Sequence, residues 1–298
     1  MKNLRLLICV VTCLVWSPVF AGGSSDAGSC DLSYPIVLAH GMGASGNIEL
    51  FGVEIIEYWY GIDSALEDRG ADVYITSVNG MDSTASKGED FNRQVLEILA
   101  VSGKEKVNII GHSHGCIYSR YAITNLDLGK RVASHTSMAG PHRGSSVADA
   151  IMYGVPESLH GLFGKLVDSV YAVLFGDNDP DSLANGWDVT RPAMVIFNEN
   201  TPDVEGVYYQ SYAAKIKIFD LFFEIPWLIC KYYEGDNDGL VSVTSAKWGD
   251  FKGVISGAWW CDGVSHLELI NMFYGVTPGF DAPALFVEIA EDLKSRGL

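Results

Sequence analysis

Basic residues are scarce in this sequence: 20 Lys and Arg stand against 37 Asp and Glu in 298 positions, a formal net charge of −17. That balance excludes a chain built to hold nucleic acid or an anionic membrane through a polybasic face. The acidic residues are scattered rather than blocked, as on a solvated surface. No two cysteines have the C-x-x-C spacing of a zinc site, and no internal repeat, low-complexity tract or composition shift marks a linker. An apolar run of the ~20 residues needed to span a bilayer is missing as well. The N-terminal run, residues 6–16, follows Lys2 and Arg5 and is stopped by Pro18, with Val19 and Ala21 at the small-residue positions of a cleavage site. Residues 1–21 are therefore expected to be a secretory signal peptide, and the mature protein to be secreted and extracellular.

Cys9 and Cys13 would leave with that leader, so Cys30, Cys116, Cys230 and Cys261 remain in a chain bound for an oxidising compartment. Four cysteines can make none, one or two bridges. Residues 22–298 are long enough for one large α/β domain or two small ones, and length alone does not choose. Residues 35–40 (PIVLAH) form a short apolar run stopped by Gly41, which suits a buried strand. Ser64 and Glu67 have the spacing of a capping box, with Gly70 placed as a terminator, which predicts a helix there. Residues 71–78 read as a second strand, 89–101 as a helix ending before Gly103, and 106–110 as a third strand. Strands alternating with helices imply parallel βαβ units with both faces of the sheet covered, hence one doubly wound α/β domain. Farther on, Leu159, Leu162, Phe163, Leu166, Val167, Val170, Tyr171, Leu174 and Phe175 recur at spacings of three and four, predicting a strongly amphipathic helix over 159–175. A core-packing helix would show the same stripe.

The third strand runs into Gly111-His112-Ser113-His114-Gly115. In a G-x-S-x-G turn between a strand and a helix, the glycines permit a sharp bend that presents the serine hydroxyl at the carboxyl end of the sheet. A serine at its free pKa is a poor nucleophile and needs a base that is itself oriented by an acid. In hydrolases of this kind the chain order is serine, acid, histidine. His266 is the one histidine in the last third of the chain and so the candidate base. Asp236 and Asp238, in the turn GDNDGLV, both qualify as the acid. The oxyanion of an attacked carbonyl needs preorganised donors. The backbone N–H of His114, next after the serine, and that of Met42 in the His40-Gly41-Met42-Gly43 loop are the candidates. The rings of His112 and His114 are expected to pack or hydrogen-bond rather than catalyse.

The segments YPIVLAHGMGASG, EYWYGIDSALEDRGADVYITSV, VNIIGHSHG, AGPHRGSSVAD, NDGLVS and SHLELIN resemble, in that order, landmarks of the secreted bacterial triacylglycerol lipases of the Pseudomonas, Burkholderia and Proteus group. The resemblance covers about residues 34–276 and is weakest over 151–207. It implies an α/β-hydrolase fold, a mostly parallel central sheet with helices on both faces, as one catalytic domain over 22–298. A helical lid in the region of about 145–190 would include the 159–175 helix, closed in water and open at a lipid surface. Ser113 would be the nucleophile, Asp238 rather than Asp236 the acid, His266 the base, and Met42 and His114 the oxyanion donors. Such lipases also hold a structural calcium. The matching positions are Asp220 and Glu268 through their side chains, Met272 and Val276 through their carbonyls, with Glu268 one methylene longer than the usual aspartate. No organic cofactor is implied.

The disulfide of the Pseudomonas-type members is expected to be missing, since Thr244 stands at its second cysteine. Cys230 and Cys261, each a few residues ahead of a triad member, would be the pair left to join neighbouring strands, with Cys116 a buried thiol. Some members require a membrane-anchored foldase as partner; the missing bridge leans towards the Proteus-like members that do not. The expected function is thus lipase action on triacylglycerols at an oil–water interface. The rivals are an esterase for soluble short-chain esters or a polyester depolymerase with the same triad, and a binding module without turnover.

Overall fold

A computed structural model describes residues 29–42, 48–50, 53–154, 156, 160, 181–217, 223–272 and 277–298. Its first strand, β1 (Ile36–Ala39), has all four side chains buried, Ile36 and Leu38 in one core cluster and Val37 and Ala39 in another. A strand covered on both faces needs no polar alternation, which is why PIVLA reads as a plain apolar run.

Beyond β1 come β2 (Ile48–Leu50) and β3 (Val53–Ile56), an antiparallel pair outside the main sheet. The chain continues through α1 (Ile62–Glu67), β4 (Val73–Thr76), α2 (Thr84–Ser102), β5 (Val107–His112) and α3 (Gly115–Asn125). A 3-10 turn at Leu128–Arg131 leads to β6 (Val132–Met138), followed by α4 (Ser146–Gly154), α5 (Ser182–Asp188), α6 (Arg191–Asn200) and β7 (Tyr208–Ala214). The last elements are α7 (Glu224–Tyr233), α8 (Val243–Ala246), β8 (Asp250–Ile255), a 3-10 turn at Glu268–Ile270 and α9 (Ala282–Ser295). Six strands form one parallel sheet in the order β4-β1-β5-β6-β7-β8. Helices α1 and α9 cover one face and α2 and α3 the other. Because β1 and β5 are neighbours, with Ala39 opposite Gly111, the loop after β1 lies beside the turn after β5.

Local departures from the sequence reading have local causes. Helix α1 begins two residues before Ser64, behind Gly61 at φ 68, so the capping-box pair falls inside the helix. A left-handed glycine turns the chain sharply enough to bury Ile62 at once, with no side-chain cap. Helix α2 starts at Thr84 rather than 89, because the Ser83 hydroxyl accepts from the Ser86 N–H at 3.2 Å. Residues 225–230 belong to α7. Strand β6, sequence VASHTSM, is wholly buried despite its polar residues. Ser134 donates to Asn108 Oδ1 at 2.7 Å and Gln210 donates to Thr136 Oγ1 at 2.9 Å, so these polar groups enter the interior paired.

The four cysteines among the described residues are free thiols, so the expected Cys230–Cys261 bridge does not form. Their sulfurs turn to separate partners, Cys230 to the Leu240 carbonyl at 3.5 Å and Cys261 to the Ala258 carbonyl at 3.0 Å. Cys116 is a buried thiol, its pKa pushed up to about 12 by burial. No described helix is long and apolar enough to cross a membrane. The expected leader at 1–21 and nearly all of the expected helix at 159–175 lie outside the described residues.

Candidate active site

Ser113 stands between the last residue of β5 and the first of α3 with a φ of 55°, in the left-handed region where a side chain is strained. The flanking glycines make this conformation accessible. A Cβ on Gly111 would lie 2.8 Å from the Cys116 nitrogen, and one on Gly115 would collide with the Ala39 carbonyl. The Ser113 N–H is fixed to the Met138 carbonyl at the end of β6, at 3.0 Å.

His266 Nδ1 lies 2.7 Å from Asp238 Oδ2, both residues buried. An ionised carboxylate only accepts, so Nδ1–H donates, and in the neutral ring it is Nε2 that carries the lone pair. The second oxygen of Asp238 accepts from the Leu240 N–H at 3.0 Å and the Val241 N–H at 2.8 Å, and the His266 N–H meets the Asp238 carbonyl at 2.9 Å. Asp236, two residues away, is on the surface, paired with Lys231 at 2.7 Å and Lys215 at 3.1 Å. Those two hydrogen bonds hold its carboxyl below the usual range. The structure thus brings Asp238, not Asp236, to His266.

Ser113 and His266 line one cavity of about 430 Å³, without a hydrogen bond between them. Such bonds often tighten only when substrate binds. Met42 and His114 line the same cavity, and neither of their backbone N–H groups donates to a protein acceptor among the described residues. His40 explains how the first is aimed. Its Nδ1–H donates to the Gly41 carbonyl at 2.9 Å while its Nε2 accepts from the Val78 N–H at 3.0 Å. In a trans peptide the C=O and the next N–H point in opposite directions, so drawing the Gly41 oxygen towards His40 turns the Met42 N–H the other way. Burial lowers the His40 pKa to about 4, which keeps the ring neutral and its tautomer single.

The rings flanking Ser113 are committed too. Lys87, itself buried, donates to His114 Nδ1 at 3.0 Å and to the Gly80 carbonyl at 2.7 Å, so His114 Nε2–H donates to Thr84 Oγ1 at 2.8 Å. Burial first, and then the Lys87 charge, hold the His114 pKa well below the usual histidine range. His112 Nε2–H meets the His266 carbonyl at 3.0 Å, and its Nδ1 meets the Tyr58 hydroxyl at 2.6 Å. Burial, and then the neighbouring His266, depress its pKa in the same direction. Of these supports, Tyr58, Thr84, Lys87 and the ring of His40 were not singled out in the sequence; Thr84 and Lys87 share the first turn of α2, but nothing in the sequence ties that turn to His114, and Tyr58 and His40 lie in other segments.

Apart from Tyr58, His112 and Ser145, the rest of the cavity wall is apolar, with Val147, Ala148 and Ile151 of α4 lining it together with Met81, Val189 and Leu240. Of the four calcium positions, Asp220 and Val276 lie outside the described residues. Glu268 accepts from the Ser265 N–H at 2.7 Å and the Thr277 hydroxyl at 2.8 Å, pinning the loop that carries His266. Each carboxylate oxygen has a second lone pair, so this donor set remains compatible with a cation. The Met272 N–H bonds to the Leu267 carbonyl at 3.2 Å, within the same loop. Among the described residues no group of three or more His, Cys, Asp or Glu side chains could hold a metal ion.

A serine on a strand–turn–helix elbow at the carboxyl ends of a parallel sheet, above a cavity shared with a histidine–aspartate pair, is the arrangement of an α/β hydrolase. Residues 34–249 match the family model for the alpha/beta hydrolase fold, and the chain belongs to that family. It is 33% identical to a triacylglycerol lipase of Vibrio cholerae serotype O1 over 99% of each chain, and 27% identical to a triacylglycerol lipase of Pseudomonas fragi over 91% of this chain and 99% of that one. Among solved structures, the Staphylococcus hyicus lipase superposes with a TM-score of 0.64 over 92% of this chain and 98% of that one, at 17% identity, a likeness of fold.

Proposed function

We propose that the protein is a triacylglycerol lipase that cleaves carboxylic esters through an acyl-enzyme. The observation that carries this reading is the 2.7 Å Asp238–His266 pair that shares an apolar-walled cavity with Ser113 and with Met42 and His114, whose amides have no protein acceptor among the described residues. Ser113 Oγ attacks the ester carbonyl carbon while His266 Nε2 takes its proton. The oxyanion accepts hydrogen bonds from the Met42 and His114 N–H groups. His266 returns the proton to the departing alcohol oxygen, leaving the acyl group on Ser113. Water then attacks the acyl carbon, again losing its proton to His266, and the fatty acid leaves as Ser113 regains a proton. Asp238 holds the ring in the required tautomer and stabilises the imidazolium.

The apolar wall favours an acyl chain over a charged or polar ester, and the lipases among the relatives favour triacylglycerol. An amphipathic helix at 159–175 would act as the lid, its apolar stripe finding a partner at an oil surface. Calcium held by Asp220, Glu268 and the carbonyls of Met272 and Val276 would tie down the His266 loop, and chelation should then lower the melting temperature. Secretion after loss of residues 1–21 belongs to the same reading, and unassisted refolding would show independence of a foldase.

The test is the initial rate on emulsified long-chain triacylglycerols and on soluble short-chain esters, with Ser113→Ala as control. Long-chain activity that rises once an emulsion forms and vanishes in the variant is expected. Activity confined to soluble esters would keep the triad and discard the lid. No turnover of either by the folded, calcium-loaded protein would refute the enzyme assignment.

A further inference from the structure

We infer that Tyr58 and His112 are positioning residues that lock the oxyanion loop to the loop carrying the base. One hydrogen-bonded chain joins them. The Gly41 N–H donates to Tyr58 Oη at 2.7 Å, Tyr58 Oη–H donates to His112 Nδ1 at 2.6 Å, and His112 Nε2–H donates to the backbone carbonyl of His266 at 3.0 Å. The direction of each bond is forced. A carbonyl only accepts, so the proton of the neutral ring sits on Nε2; Nδ1 is then bare and must receive the phenolic proton. The phenol oxygen in turn receives the Gly41 amide. Tyr58, His112 and His266 are all buried, so water does not compete for these bonds. The rings are also packed, with the centroids of His112 and His266 4.5 Å apart and those of Tyr58 and His112 5.8 Å apart.

The two ends of the chain are the two parts whose separation the chemistry needs fixed. Gly41 precedes the Met42 amide proposed for the oxyanion, and the His266 carbonyl belongs to the proposed base. Only glycine permits the first contact, since a Cβ on Gly41 would stand 2.8 Å from Tyr58 Oη and 2.7 Å from the Ser113 Cβ. In the proposed reaction the oxyanion donors act on the carbonyl oxygen and the base on the Ser113 hydroxyl that attacks the same carbonyl, and a misplacement of about 1 Å between such groups costs about 100-fold in rate. The histidine before the nucleophile thus has a structural task that its place in the motif does not reveal. This inference rests on the roles proposed for Ser113 and His266.

The test is a double-mutant cycle on kcat and KM for a soluble p-nitrophenyl ester, with Tyr58→Phe, His112→Gln and the pair. Tyr58→Phe keeps the ring and loses the proton. Gln at 112 can keep an N–H for the His266 carbonyl but has no acceptor at the position of the ring Nδ1 that faces Tyr58. Each single change should lower kcat between about 10- and 100-fold with KM within about twofold. The double variant should fall within about twofold of the worse single, because a chain already broken cannot be broken again. Losses that multiply, a loss carried by KM, or unchanged kcat in Tyr58→Phe would overturn the inference. A second readout needs no turnover: the ring ¹⁵N spectrum of His112 in the wild-type protein at pH 7 should show a bare Nδ1 and a protonated Nε2. The opposite tautomer or a doubly protonated ring would overturn it as well. Turnover surviving in Ser113→Ala would defeat the triad instead, leaving the ¹⁵N spectrum to decide the chain of bonds.

Discussion

The two sides of Ser113 use the same side chain for opposite ends. On one side a single imidazole, His266, has a carboxylate against its Nδ1. Around it, His40, His112 and His114 have no carboxylate partner among the described residues, and burial drives all three pKa values down. The partner of the second ring nitrogen, rather than nearness to the serine, separates a ring fitted to accept a proton from one fitted to hold a loop. The acidic turn repeats the lesson. Asp238 is enclosed by two amides and an imidazole, while Asp236 spends itself on two surface lysines.

Several substitutions would break this contrast if it is wrong. The largest effect belongs to the base side: His266→Ala should lower kcat by about 10⁴-fold or more, and Asp238→Asn by about 10⁴-fold, in ester hydrolysis by the folded variants. On the oxyanion side, His40→Leu frees the Gly41–Met42 peptide, and the expected loss is that of one misaimed donor, about 10²- to 10³-fold in kcat. Equal losses on the two sides would erase the distinction. The buried neutral histidines also predict an acid instability of known sign. His40 titrates near 6.5 when unfolded and near 4 when folded, so between those values the unfolded chain binds the extra proton. Stability is therefore complete above pH 6.5 and falls as the pH drops towards 4, by about 1.4 kcal/mol per pH unit for each such group fully within its window. Calorimetric melting temperatures across pH 4–8 would show it, and a flat profile would contradict it. The smallest effect is at Asp236→Asn, an exposed pair, where stability should change by less than about 1 kcal/mol in urea unfolding and kcat should not move.

Motifs with a local physical cause were legible in the sequence. The strand–turn–helix run around Ser113 needs its two glycines for reasons confined to a few residues, and β1 betrays its burial by lacking any polar position. The choice of Asp238 over Asp236 came from the family resemblance, because the residues themselves qualified equally; what separates them is the fold around the turn. Strand β6 was silent because its buried Ser134 and Thr136 are satisfied by Asn108 and Gln210, 26 and 74 residues away respectively. The supports of the loop proposed to hold the oxyanion were silent for the same reason, Tyr58 and His112 being 54 residues apart. Cysteine pairing failed since position in sequence carries no direction for a thiol; Cys230 points into the α4 side, where its neighbour is Ser146.

The most direct measurement is covalent trapping of the nucleophile. An alkyl fluorophosphonate would be reacted with the wild-type protein, Ser113→Ala and His266→Ala, and the modified peptide located by mass spectrometry. One label per chain on Ser113, absent in Ser113→Ala and formed far more slowly in His266→Ala, is the expected result. A label on another residue, or one on Ser113 that forms as fast without His266, would contradict the assignment of nucleophile and base.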